Sequence, residues 1–160
     1  MTTTAGVKVK AVDAVCNLRT PEAMATRGPE WGGFLGGKIP ASQETLQGVS
    51  MEELVAKMDA AGIEKALLLC TRTGSKYHGF TNQLSYEYVA DIVQKYPDRF
   101  RALAGLDPWE GMEGVRNLEH AVKELGFVGA HLYPHWFRMA PDHRKYYPFY
   151  AKCVELNVPI

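Results

Sequence analysis

The chain is 160 residues long, 46% hydrophobic, and balances 18 basic side chains against 18 acidic ones. That is enough apolar content for one domain with a buried core and too much for a disordered chain. A formal charge of zero, with no basic run interleaved with aromatics, argues against nucleic acid and anionic membranes as partners, and no apolar run approaches the roughly 20 residues that span a bilayer.

Residues 1–6 read as a small polar tail. A first strand over 7–18 follows, and alternation places Asp13, Val15 and Asn17 on one face with Cys16 and Leu18 on the other. Residues 19–49 are rich in Gly and Pro and carry Trp31 and Phe34; a loop of that length inside a domain reads as a lid-like insertion. Ser50 and Glu53 form a capping box ahead of Leu54, Val55, Met58 and Ala61, so a helix is expected over 51–61 with Gly62 as its C-cap. The run 63–70 is apolar without alternation, as in a strand buried on both faces. A polar turn over 71–80 carries Arg72, Lys76 and His78.

A second helix is expected over 84–96, stopped by Pro97, and a third strand over 100–107. Val115, Leu118, Val122 and Leu125 mark a third helix closed by Gly126, followed by a fourth strand over 128–133. The last helix spans 143–157 with Asn157 as its cap, and Val158, Pro159 and Ile160 look like the opening of a fifth strand. Strands alternating with helices imply a parallel sheet covered by helices. No composition break divides residues 1–160, which read as a single domain and as half of something larger. Long unpaired strand edges would then need closing by further polypeptide or by another copy in a homo-oligomer. Cys16, Cys70 and Cys153 are odd in number, far apart and preceded by no signal-like segment, which fits reduced thiols in the cytoplasm.

In parallel strand-helix folds the working groups sit at the C-terminal ends of strands. That rule selects Asp13, Val15 and Asn17; Thr71 and Arg72; Asp107 and Trp109; and His131, Tyr133, His135 and Trp136. Alternation puts His131, Tyr133 and His135 on one face, with the two imidazoles about 13 Å apart in an extended strand, too far to share a metal unless the strand bends after Pro134. His131 has two readings, a core histidine bonded to a neighbouring strand or a substrate-binding or acid-base group; His135, at the strand end, is a candidate catalytic group. Asp13, among apolar neighbours, needs a partner in Arg72, Arg101 or backbone donors. Asn17 either orients a substrate oxygen or begins the loop, and Trp31 and Trp136 are either an aromatic wall or packing.

These segments are similar to a known family. Val12-Asp13, Gly105-Leu106-Asp107-Pro108, Gly129-Ala130-His131-Leu132-Tyr133-Pro134, and Tyr147-Pro148-Phe149-Tyr150 leading into Leu156-Asn157-Val158-Pro159-Ile160 resemble the amidohydrolase-related family. That family includes aminocarboxymuconate semialdehyde decarboxylase and the resorcylate-type decarboxylases. The resemblance implies a (β/α)8 TIM barrel of which this chain supplies the first four βα units, acting by decarboxylation, hydration or hydrolysis on a small carboxylated or cyclic acid. It also implies a divalent metal, zinc or manganese, held partly by a His-any-His pair after the first-strand Asp. Those two positions are Val15 and Asn17 here, so the strand-one ligands are missing and no metal ligand is assigned. The expected site is then His131 and His135 as catalytic groups, with Asn17, Arg72, Tyr133, Trp136 and Trp31 binding a small-molecule substrate. The rival expectation is a metal-free, non-catalytic member that binds a ligand or a partner subunit.

Overall fold

The computed structural model describes residues 10–28, 47–75 and 80–160. Four parallel strands form one sheet in the order of the chain: β1 (Ala11–Asn17), β2 (Ile63–Cys70), β5 (Phe100–Gly105) and β6 (Gly129–His131). Two short strands between them, β3 (Arg72–Ser75) and β4 (Phe80–Gln83), pair antiparallel. The helices are α1 (Pro21–Ala25), α2 (Met51–Ala61), α3 (Tyr86–Lys95), α4 (Met112–Lys123), α5 (Pro134–Phe137) and α6 (Tyr147–Leu156). The parallel order matches the sequence expectation. So does α2, where Ser50 Oγ accepts from Glu53 N at 3.1 Å, Glu53 Oε2 accepts from Ser50 N at 3.0 Å, and Gly62 closes the helix with φ 73°.

Alternation along the strands sorts the core. Ala66, Leu68 and Cys70 of β2 join Ala102 and Ala104 of β5 against Val89 and Ile92 of α3 and Val115 and Leu118 of α4. The small alanines let the helices approach the sheet closely, and the larger residues come from the helix side. Asn157, with φ 54°, caps α6 in the left-handed conformation expected of it. Beyond it, Pro159 O accepts from Ala130 N at 2.9 Å, so the last residues run beside β6 where a next strand would lie.

Three details differ from the sequence expectation. Asp13 is level with Ala66 while Cys16 is level with Leu68, so three residues of β1 span two of β2. This bulge breaks strict alternation and puts Asp13 on the row that Cys16 continues, with its Oδ1 accepting from Val15 N at 3.0 Å; backbone, not arginine, satisfies it. The polar stretch after β2, expected as a turn, is a hairpin, because Arg72 to Ser75 fold back onto Phe80 to Gln83. The fourth strand stops at His131 rather than running to Tyr133, and a helical turn expected as strand end begins at Pro134.

Candidate functional site

The C-terminal ends of the four parallel strands carry two polar clusters. The first forms where β6 gives way to α5. Proline at the first helical position has its φ already set for a helix, so Tyr133 becomes the N-cap and His135 and Trp136 sit on the following turn. The rings of His131 and Tyr133 meet edge to face at 5.0 Å, those of Tyr133 and His135 at 6.0 Å, and His135 lies 5.4 Å from Trp136. Tyr133 OH also donates to Asn17 Oδ1 across the sheet, over a long 3.4 Å. Asn17, His131, Tyr133, His135 and Trp136 are thus brought together at one rim, by a turn of helix rather than by the strand alternation that first grouped them. His135 is exposed, while Tyr133 and Trp136 are half-buried.

His131 is the anchored member. Its Nε2 lies 3.3 Å from Cys70 O, two strands away, and it gets there by crossing Gly105, where a Cβ would stand 2.2 Å from Cys70 O and 3.2 Å from His131 Nε2. A carbonyl only accepts, so Nε2 carries the proton and Nδ1 is left as an acceptor. Nδ1 is buried without a hydrogen-bond partner among the described residues. Burial also pushes the imidazole pKa down to about 4, outweighing the opposing effect of the Cys70 bond. His131 is therefore neutral near pH 7. The first of the two sequence readings, a histidine bonded to a neighbouring strand, is what the geometry shows. The phenol of Tyr133 is held in its protonated form by burial, opposed by the charge of Arg27.

The second cluster lies at the ends of β2 and β5. Arg72 is ion-paired with Glu110 and its guanidinium stands 4.5 Å over the ring of Tyr86, whose OH donates to Gly105 O at 2.6 Å. Asp107, 5% exposed, accepts from Trp109 N at 2.8 Å and from Gln83 Nε2 at 3.3 Å, and its acidity is weakened chiefly by burial. The Arg72 guanidinium is committed to Glu110 and Tyr86, so the structure does not join it to the His131 rim. Gln83 and Glu110 were not singled out in the sequence; Gln83 reaches Asp107 only because the hairpin turns it back over β5. Arg27, at the far side of the Tyr133 rim, was also missed, since a single arginine in a long loop has no spacing to mark it.

Trp31, Phe34, Lys76 and His78 lie outside the described residues. Among the described residues no three His, Cys, Asp or Glu side chains come close enough to hold a metal ion. At the first-strand positions Val15 has no donor atom, and Asn17 Oδ1 already accepts from Tyr133. A zinc or manganese ion of the kind implied by the family resemblance does not fit these residues of strand one. The three cysteines are buried and their thiols are pushed up by burial, Cys16 to about 11 and Cys70 to about 12, so none is an activated nucleophile.

The chain is similar to several known proteins. A gamma-resorcylate decarboxylase of Polaromonas sp. is 30% identical over 119 residues, 68% of this chain and 33% of the relative. A 2-keto-4-carboxy-3-hexenedioate hydratase of Sphingobium sp. is 37% identical over 79 residues, 44% of this chain and 23% of its own length. The crystal structure of 5-carboxyvanillate decarboxylase from Novosphingobium aromaticivorans, with bound manganese and 3-methoxy-4-hydroxy-5-nitrobenzoic acid, superposes with a TM-score of 0.71 at 22% identity, covering 94% of this chain and 49% of that one. A further neighbour with a TM-score of 0.66 is a TIM-barrel protein from Bordetella bronchiseptica, of which the chain covers 54%. The chain thus spans about half the length of these solved structures, as the four-stranded sheet would as half of a barrel. The family model for amidohydrolases matches residues 16–160, and the chain belongs to the amidohydrolase family.

Proposed function

We propose that the chain forms one domain, residues 1–160, supplying the first four βα units of a barrel enzyme that decarboxylates or hydrates a small carboxylated acid, with residues 19–49 as its lid. The observation that carries this is the joined set Asn17, Tyr133, His131 and His135 at the strand ends, where such barrels place their chemistry. The family relatives, two decarboxylases and a hydratase by name, support the reaction class. In this reading neutral His131 holds the ring of Tyr133 in place, the phenol of Tyr133 and Asn17 orient the ligand, and the exposed imidazole of His135 exchanges a proton with it. Trp136 and Trp31 wall the ligand, and Arg72 acts at a distance by fixing the end of β2. The remaining strands come from further polypeptide or from another copy, and the cytoplasm is the proposed location.

The test is turnover of gamma-resorcylate by the purified protein, followed as carbon dioxide release. His135→Ala is expected to abolish turnover while shifting stability by less than about 0.5 kcal/mol, because an exposed side chain fills no core volume. Unchanged turnover in that variant would rule out the assignment. A second reading has its own observation in Val15 and Asn17, which supply no imidazole: a metal-free member that binds an acid without transforming it. Elemental analysis for zinc and manganese, together with tight binding and no turnover in the wild-type protein, would select it.

A further inference from the structure

We propose that Tyr86 is a positioning residue for the rim: through Gly105 its hydroxyl sets where the His131 imidazole lies, and so where Tyr133 stands; the inference rests on the rim being the ligand site. Tyr86 opens α3 and is 4% exposed. Its ring packs edge-on to Phe127 at 5.5 Å and lies under the Arg72 guanidinium at 4.5 Å, contacts that a phenylalanine would make as well. The hydroxyl is what phenylalanine lacks, and it donates to Gly105 O at 2.6 Å. Gly105 ends β5, level with His131 of β6. Where its side chain would be, the imidazole passes so closely that a Cβ would stand 3.2 Å from Nε2, and the ring goes on to Cys70 O at 3.3 Å. Leu106 N, one residue further, donates to His131 O at 3.1 Å, so the main chain of His131 is tied to the same stretch of β5 as its side chain. Tyr133 in turn has only a long bond, 3.4 Å to Asn17, at its outer end, so its ring takes its place from the edge-to-face contact with His131 at 5.0 Å. A buried carbonyl that loses its donor shifts to find another, and close packing passes the shift to the ring lying against it. Tyr86 touches no ligand and acts through His131 and Tyr133.

The experiment compares Tyr86→Phe with Tyr96→Phe in the purified protein. Tyr96 also ends in a hydroxyl bond, to Glu52 Oε1 at 2.6 Å, but it is exposed and lies at the other end of α3 from Tyr86. The two readouts are nitrogen NMR of labelled histidine, with the His131 signal assigned by its loss in His131→Gln, and carbon dioxide release from gamma-resorcylate. Tyr86→Phe is expected to shift the His131 Nε2 signal and to lower kcat about tenfold with KM changed less than about twofold. Its thermal midpoint should fall by about 4 °C, the size expected for one neutral hydrogen bond. Tyr96→Phe should leave the His131 signal and turnover as in the wild-type protein. A folded Tyr86→Phe protein with the wild-type His131 signal overturns the proposal. So does a variant that fails to fold, since the hydroxyl would then serve the core as a whole, and so does a moved signal with wild-type kcat. Wild-type protein without turnover, together with a moved signal in Tyr86→Phe, would overturn the rim reading and leave the link from Tyr86 to His131 standing.

Discussion

The two polar clusters at the strand ends use the same kinds of residue and settle them in opposite ways. Around Asp107 the carboxylates, Arg72 and Tyr86 are buried against one another, and each has a partner within the chain. Around Tyr133 the contacts are longer, His135 is exposed, and a buried nitrogen of His131 is left over. Position at a strand end therefore does not by itself mark a working group. What separates the two is charge pairing: Arg72 meets Glu110 and Asp107 accepts two hydrogen bonds, whereas Arg72 Nε and His131 Nδ1 are each buried without a partner among the described residues. The charge-paired cluster ties the end of β2 to the turn before α4, whereas the rim leaves the His135 imidazole exposed.

The sharpest way to break this contrast is at Gly105, which lies between the clusters. Gly105→Ala would drive a Cβ to 2.2 Å from Cys70 O and 2.8 Å from Arg72 N, both backbone atoms that cannot turn aside. It should cost about 3 kcal/mol or more in urea denaturation and release His131 from Cys70, seen as a changed imidazole nitrogen signal in NMR. A loss below about 1 kcal/mol would show that the two strands separate freely there.

The next largest effect tests the charge-paired cluster. Glu110→Gln leaves Arg72, 13% exposed, without its counter-charge and should destabilise the fold by about 2 kcal/mol. Lys10→Met removes one partner of the exposed pair with Glu64, 69% and 42% exposed, and should cost less than about 0.5 kcal/mol. Equal losses at the two sites would mean that burial does not distinguish them.

An effect of about the same size as that of Glu110→Gln is a pH dependence belonging to the rim. An unfolded chain protonates His131 near the ordinary 6.5, but the folded protein resists until about 4. Stability from keeping this ring neutral is thus complete above about pH 6.5 and declines as pH falls between those two values. For a partly exposed ring the loss should be about 2 kcal/mol, and His131→Gln should flatten that slope. A variant with the wild-type slope would show that His131 titrates normally.

Much of the fold was legible because local signals agreed with tertiary packing. The Ser50 and Glu53 box, the αL caps at Gly62 and Asn157, and the apolar second half of β2 each had one physical meaning, and each took it, while Glu64 and Lys65 leave the start of that strand exposed. The failures share a cause as well. A bulge in β1, a hairpin after β2 and a helical turn at Pro134 are set by how neighbouring segments meet, which periodicity does not record. His131, Tyr133 and His135 could be named as a group from spacing alone, but what joins them could not. Arg27 and Glu110 are single charged residues whose meaning comes wholly from what they lie beside.

The sheet order, in which β1, β2, β5 and β6 are neighbours in the sequence in which they occur, bears on how the protein is made. Each strand leaving the ribosome finds its pairing edge already laid down by the strand before it, so none of these three pairings has to wait for a distant segment. Contacts of modest sequence separation are entropically cheap to form, and synthesis is slow enough for each βα unit to settle before the next appears. The hydrogen bond from Ala130 to Pro159 is the same step repeated once more. Growth by addition at one edge keeps only the newest strand exposed on that side, which limits the time that unpaired backbone is available to another chain.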